Sequence, residues 1–290
     1  MISIDRADGI TEAGAAFYPG DLIVKAKLIA AALAAAFIVP MATMQTAAAS
    51  EAAARIVNGS TAIAGEFPDF ITISKGTTVA GHVCGGVLVN SRWAVTAAHC
   101  VSHFDTSTAS IMVGMESYTP LVKKDQVSIE KVIVHPDYDT TTLGGTAKND
   151  LALIKLSRAA NSSNFARLAG LNPEQDPPAA LTNIPLTAVG FGDNANGVRP
   201  NVLNKKTLVA LPDKMCTDVP AGYPATNQDP AFHVCAGSGT AGGDSGGPLY
   251  ADYNGNRYVV GLVSRSLIAP AEQFTRVSKF AEWIKATAVE

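Results

Sequence analysis

The chain reads as an all-β protein, and three observations point that way. Short runs rich in Val, Ile and Thr recur along it, each broken by Gly, Pro, Asn or Asp. Helical periodicity is scarce before the last fifteen residues. The 290 residues are 47% apolar and only 16% charged, enough to bury one large core or two small ones. The net charge of −3 leaves no basic stripe, so nucleic acid is not an expected partner.

The N-terminal stretch stands apart from that fold. Lys25 and Lys27 precede a twelve-residue apolar run, 28–39, ended by Pro40, and small residues follow at Ala47, Ala48 and Ala49. This is the n-region, h-region and Ala-x-Ala plan of a secretory signal peptide. A membrane anchor needs ~20 strongly apolar residues, and this run is short and alanine-rich. Residues 1–49 are therefore a leader, long and partly acidic before Lys25, and the mature protein is expected to be secreted and extracellular. Secretion makes Cys84, Cys100, Cys216 and Cys235 disulfide candidates, with three pairings open. Neither Cys-x-x-Cys spacing nor a zinc-protease motif is present: His99 and His103 are correctly spaced, but no Glu follows the first. No metal is expected. His82, His135 and His233 have no partner pattern and read as structural or surface groups.

Further along, Trp-Ala-Val-Thr-Ala-Ala-His-Cys at 93–100 is an apolar, strand-like run that ends on His99. Residues 148–156, Lys-Asn-Asp-Leu-Ala-Leu-Ile-Lys-Leu, form an alternating, half-buried strand with Asp150 at its mouth. Asp176-Pro177-Pro178 and Gly190-Phe191-Gly192 read as turns or a crossover. Residues 241–248, Ala-Gly-Gly-Asp-Ser-Gly-Gly-Pro, set one hydroxyl, Ser245, among four glycines, with Asp244 just before it. Glycine loses more backbone entropy on ordering than any other residue, so such a turn implies positive φ or close backbone approach. It can present a serine and its neighbouring amides to one point. The stretch 277–289 is the one expected helix, with Phe280, Trp283 and Ile284 on one face to dock it on the second half of the fold.

A nucleophilic serine needs a base, and the base needs an orienting group. His99, Asp150 and Ser245 follow one another at separations of 51 and 95 residues. Together, Thr-Ala-Ala-His-Cys, Asn-Asp-Leu-Ala-Leu and Gly-Asp-Ser-Gly-Gly-Pro-Leu resemble the trypsin/chymotrypsin family of serine endopeptidases. The resemblance runs from about residue 55 to the C-terminus.

The resemblance implies two antiparallel six-stranded Greek-key β-barrels, about 56–165 and 166–276, with the active site between them and the C-terminal helix at 277–289. It selects the pairs Cys84–Cys100 and Cys216–Cys235. It implies that Ser245 attacks the scissile carbonyl, that His99 shuttles the proton and that Asp150 holds the His99 tautomer, while the N–H groups of Gly243 and Ser245 bind the oxyanion. Residues 50–55 become a short propeptide. Cleavage after Arg55 would free the Ile56 amine, which would pair with Asp244 and order a turn that is poorly ordered before. No cofactor is implied. The family's calcium loop would fall near 114–130, where Glu116, Asp125 and Glu130 make a poor ligand set.

Specificity departs from the family pattern. Gly239 stands where trypsin-like members carry the Asp of the side-chain pocket, and Ala241 replaces a cysteine of a third disulfide. The wall segment Ser264-Arg265-Ser266 is expected to pair with substrate backbone, although Arg265 and Ser266 replace an aromatic and a glycine. Glu272 falls near the far wall, where it either receives a basic side chain, pairs with Arg265 or points to solvent. An apolar or mixed P1 preference is favoured over a strictly basic one. The rivals are a catalytically silent homologue acting as a binding or decoy module, and an esterase, whose chain order differs. Asn58 and Asn161 head glycosylation sequons. The expected partners are protein or peptide substrates, an activating protease and protein inhibitors, with the chain a monomer.

Overall fold

The computed structural model describes residues 56, 59–103, 105–139, 148–217, 229–266 and 271–289, with the backbone alone of Ser266. The leader, its apolar run, Arg55 and Asn58 lie outside the described residues. Fifteen strands dominate: β1 (Ser60–Thr61), β2 (Phe70–Ser74), β3 (His82–Asn90), β4 (Trp93–Thr96), β5 (Ser110–Val113), β6 (Ser117–Tyr118), β7 (Leu121–Val122), β8 (Asp125–Val134), β9 (Ala152–Leu156), β10 (Pro185–Gly190), β11 (Asn204–Val209), β12 (His233–Gly237), β13 (Pro248–Tyr253), β14 (Asn256–Ser266) and β15 (Ala271–Arg276). Among the described residues two α-helices accompany these fifteen strands, α1 (Lys214–Thr217) and α2 (Val277–Thr287). The four-residue α1 was not expected from sequence. It is a single turn, too short to show a period.

The first barrel closes in the order β2-β3-β4-β9-β8-β5, and every pairing is antiparallel. The second assembly is a seven-stranded sheet, β1-β11-β10-β13-β14-β15-β12. Its far ends meet through an Ala210–Ala236 bridge and a Leu211 N–H to Cys235 C=O bond of 2.9 Å, which bring β11 back to β12. The early strand β1 adds to this second assembly, with Ser60 opposite Lys205, and not to the first barrel. Residues 60 and 61 are thereby held against the half that carries Ser245.

Strands between the two assemblies are buried on both faces, and alternate side chains serve different cores. In β4, Ala94 faces the first barrel's interior, while Trp93 and Val95 enter a seam shared with the second assembly. In β9, Ala152, Ile154 and Leu156 face inward and Leu153 enters the seam. In β10, Leu186 and Ala188 fill the second core, and Val189 joins the seam. The strand at 148–156, expected as alternating and half-buried, is instead buried on both faces along 152–154, because both phases are apolar there. Phe191, read as part of a turn, is fully buried in the same seam.

Helix α2 buries Val277, Phe280 and Ile284 in the seam, beside Trp93 of the first barrel. Its end is tied to that barrel as well. Asn90 Nδ2 donates to Ala288 O at 2.7 Å, and Trp93 Nε1 donates to Val289 O at 2.8 Å. The helix thus straps both halves, whereas the periodicity alone placed it on the second. The disulfides join Cys84 to Cys100 and Cys216 to Cys235. Among the described residues no helix is long and apolar enough to cross a membrane.

Candidate active site

His99 is the middle residue of a short 3-10 turn, Ala98–Cys100, after β4, and Asp150 lies two residues before β9, which pairs with β4. The pairing brings the two side chains together. His99 Nδ1 donates to Asp150 Oδ2 at 2.7 Å, and the His99 backbone N–H donates to Asp150 Oδ1 at 2.9 Å. One carboxylate therefore fixes both the ring and the main chain of the histidine. Asp150 is 1% exposed and is itself braced: Ser264 Oγ donates to Oδ2 at 2.6 Å, and Thr275 Oγ1 donates to the Asp150 carbonyl at 2.9 Å. Burial lowers the His99 pKa, but the Asp150 hydrogen bond and charge reverse that and leave it above 6.5. The proton on Nδ1 leaves Nε2 of the neutral ring with a free lone pair.

Ser245 arrives from the other assembly. Its carbonyl accepts from Gly85 N–H at 2.8 Å, and Gly85 follows Cys84, which is bonded to Cys100, the neighbour of His99. Gly246 presses on the same strand end, since a Cβ there would lie 2.1 Å from Thr96 Oγ1 and 3.0 Å from Ala97 N. Gly246 N–H donates to Val263 O, one residue before Ser264. Thus the serine turn, the histidine turn and the Asp150 brace interlock. The last link, Ser245 Oγ to His99 Nε2, is not closed as a hydrogen bond among the described residues, and His99 Nε2 sits 3.8 Å from Cys100 Sγ. Such bonds are commonly long without substrate and tighten in the complex. The N–H groups of Gly243 and Ser245 make no hydrogen bond among the described residues.

Asp244 is 1% exposed and makes no ion pair among the described residues. Its Oδ1 accepts from Gly192 N–H at 2.7 Å and its Oδ2 from Ala241 N–H at 2.9 Å. Burial pushes its pKa from 3.8 to about 7 against those hydrogen bonds. Ile56 is fully buried and holds a φ of 43°, a left-handed conformation that strains a β-branched residue.

His82, taken from sequence as structural or surface, is buried at the rear of this turn. Burial lowers its pKa to about 4, so the ring is neutral and Nε2 carries the proton that Gly243 O accepts at 2.8 Å. Its Nδ1 faces the Tyr118 hydroxyl at 3.2 Å, which in turn meets Ser74 Oγ. Sequence offered no signal for this role, because the partner lies 161 residues away.

The pocket residues take an arrangement that none of the three sequence alternatives for Glu272 described. Glu272 is 3% exposed, and its carboxylate caps the chain at Gly239 and Thr240. Gly239 N–H donates to Oε1 at 2.8 Å and Thr240 Oγ1 to Oε2 at 2.7 Å, with Thr240 N–H shared between both oxygens. No ion pair joins it to Arg265 among the described residues. The Lys206 stem and amine pack behind Gly239, where a Cβ would meet Lys206 Cδ at 2.6 Å and Nζ at 2.8 Å. Ser264, assigned to substrate backbone, spends its hydroxyl on Asp150. Arg265 and Ser266 continue β14, opposite Gln273 and Glu272.

The three carboxylates of the would-be calcium loop have separate partners. Glu116 accepts from Gly65 N–H, Asp125 is held by Arg158 through two bonds of 2.8 Å, and Glu130 meets Arg92 and Lys155. The Arg158 hydrogen bond takes the Asp125 pKa down to about 2.

The family model described as Trypsin matches residues 56–284. Trypsin-1 of Astacus astacus is 34% identical over 253 residues, covering 81% of this chain and 100% of that protein. Chymotrypsin-like elastase family member 1 of Rattus norvegicus is 29% identical, covering 81% and 90%. Ovochymase of Halocynthia roretzi is 30% identical over 83% of this chain, which spans only 15% of that longer protein. A solved structure of neuropsin, a serine protease expressed in the limbic system of mouse brain, superposes with a TM-score of 0.64 at 26% identity, covering 80% of this chain and 100% of its own.

The His99–Asp150 pair sets a titration. NMR of the ring should give a pKa above 6.5, and Asp150→Asn should move it below 6.5, because burial then acts unopposed. An unmoved titration would mean that the carboxylate does not govern the ring.

Proposed function

The chain belongs to the trypsin family of serine endopeptidases, and on that premise we propose a secreted enzyme that hydrolyses peptide bonds through Ser245, His99 and Asp150 and is switched on by cleavage after Arg55. One observation carries the reading: the Asp150 carboxylate grips His99 by ring and backbone, beside two backbone N–H groups with no partner among the described residues.

In the first half-reaction Ser245 Oγ attacks the scissile carbonyl carbon as His99 Nε2 takes its proton. The carbonyl oxygen becomes an anion held by Gly243 and Ser245 N–H. Collapse breaks the C–N bond, and His99 returns the proton to the leaving amine. An acyl-enzyme remains. Water then repeats the sequence, giving a carboxylic acid and free Ser245. Asp150 holds the His99 ring and stabilises the cation that forms on it.

Activation follows from Asp244. A buried carboxylate without a counterion is costly, and its raised pKa expresses that cost. Cleavage before Ile56 supplies an ammonium and also abolishes the strained φ torsion, which exists only while residue 55 is attached. Pairing would then hold the turn in its working shape. The activating protease, protein inhibitors and a monomeric state belong to this proposal, as does the silent binding module as its rival.

The pocket supports an apolar or mixed P1 residue. Gly239 supplies no carboxylate, Glu272 is occupied by backbone donors, and the Lys206 amine sits behind the pocket floor.

Arg-specific cleavage should yield a chain beginning Ile-Val, which a fluorophosphonate labels at Ser245. Ser245→Ala and His99→Ala should abolish labelling, and a fluorogenic series should rank aliphatic or aromatic P1 above Lys and Arg. An activated wild type that takes no label would favour the silent module. The switch has its own signature in pH. A raised acid pKa gives the uncleaved chain stability that is complete below 3.8 and lost as pH rises through about 7. The thermal midpoint of the cleaved form should therefore gain on the uncleaved form from pH 5 to 8, and Asp244→Asn should erase the trend and most of the activity. Equal midpoints at every pH would sink the Ile56–Asp244 pair.

A further inference from the structure

We infer that Arg199 is a positioning residue for the oxyanion hole, locking the Gly242–Gly243 peptide so that the Gly243 N–H faces the substrate oxyanion. The inference rests on the serine-protease reading above and adds a residue to it. A trans peptide carries its C=O and the following N–H in one plane, pointing in opposite directions. Whatever holds Gly242 O therefore sets the direction of Gly243 N–H. This peptide needs holding: it joins two glycines, neither of which has a side chain to pack, and Gly242 is exposed.

Two donors meet on Gly242 O, the backbone N–H of Asp193 at 2.9 Å and an Arg199 terminal nitrogen, Nη2, at 3.1 Å. The other guanidinium nitrogens are anchored in turn. Nε donates to Asp193 Oδ1 at 3.0 Å, and Nη1 donates to His82 O at 3.1 Å. A planar, rigid fork thus spans three segments, one of them the start of β3 in the first barrel. It also lies close over the next residue, because a Cβ on Gly243 would come within 2.7 Å of Nη2 and 2.8 Å of Cζ. Gly243 has a φ of 98°, so the positive torsion and the arginine both require glycine there. With Gly242 O gripped from behind, the Gly243 N–H is turned outward and bonds to nothing among the described residues.

The test compares Arg199→Ala, Arg199→Lys and wild type after activation, with active-site titration so that only folded, acylatable molecules are counted. Removing an oxyanion donor outright costs ~10²–10³ in rate, and loosening a peptide whose Gly242 carbonyl keeps its Asp193 bond should cost about tenfold. The loss in Arg199→Ala should fall on kcat, with KM unchanged. Affinity for a peptidyl aldehyde, which forms an oxyanion with Ser245, should fall in the same proportion, while affinity for the matching peptidyl alcohol stays put. Arg199→Lys keeps the charge but not the fork and should recover little. Wild-type kcat and aldehyde affinity in Arg199→Ala would overturn the inference, as would equal losses for aldehyde and alcohol. A wild type with no titratable Ser245 would instead bring down the protease reading, and the inference with it.

Discussion

The architecture of the serine turn depends on one constraint: the Asp244 carboxylate is buried with no ion-pair partner among the described residues. Such a group must take hydrogen bonds from whatever is near, and here it takes them from backbone. Backbone can come that close only where side chains are absent. A Cβ on Gly190 would lie 2.2 Å from Oδ1, and one on Gly192 would lie 2.1 Å from Oδ2. The glycines that read as a turn in the sequence are therefore the walls of a carboxylate cradle. The rest of the turn follows from it. Asp244 N–H donates to Ala241 O, and Gly247 N–H donates to Asp244 O, so the chain folds back on both sides and Ser245 stands at the crest.

The second requirement is that two assemblies meet accurately. Apolar packing in the seam supplies most of the contact, but packing alone is tolerant of small shifts. Polar links across the seam are not. Gly85 N–H to Ser245 O joins β3 to the serine turn, and Ser264 and Thr275 of the second assembly both reach Asp150 of the first. These bonds fix the position of Ser245 relative to the His99–Asp150 pair from two directions. The Cys84–Cys100 disulfide closes the circuit by tying β3 to the histidine turn.

Much of this was legible in the sequence, for a physical reason. His99, Asp150 and Ser245 sit in local motifs whose neighbours are constrained by the same turn, so the chemistry and its punctuation travel together. The strand character of 93–96 and 152–156 was also plain, from an apolar run in the first and from alternation in the second. The braces were not legible. His82 and Gly243 are 161 residues apart, and Arg199 reaches back 117 residues to His82. Nothing in an isolated Arg or His announces a distant carbonyl. Glu272 shows a different failure: its carboxylate was assigned to a ligand, a neighbour or solvent. Backbone donors at Gly239 and Thr240 were overlooked because every residue carries them and sequence does not say where they point.

A common logic links these hidden braces. Along 241–244, successive peptides are held by groups from the turn itself and from distant segments. The Ala241 N–H is taken by Asp244, the Gly242 carbonyl by Asp193 and Arg199, and the Gly243 carbonyl by His82. Each bond spends the group that faces the protein. What is left over among the described residues is the N–H of exposed Gly242 and the N–H groups of Gly243 and Ser245, the last two being the proposed oxyanion donors. Preorganised donors of this kind are effective because they need no rearrangement when charge develops. They are also unstable in isolation, since a glycine-rich turn has every reason to collapse onto its own free amides. Bracing from behind is what keeps them open. Asp244 carries the cost of this arrangement in its raised pKa, and in the activation proposed above the interaction that shapes the turn would answer a new ammonium at Ile56.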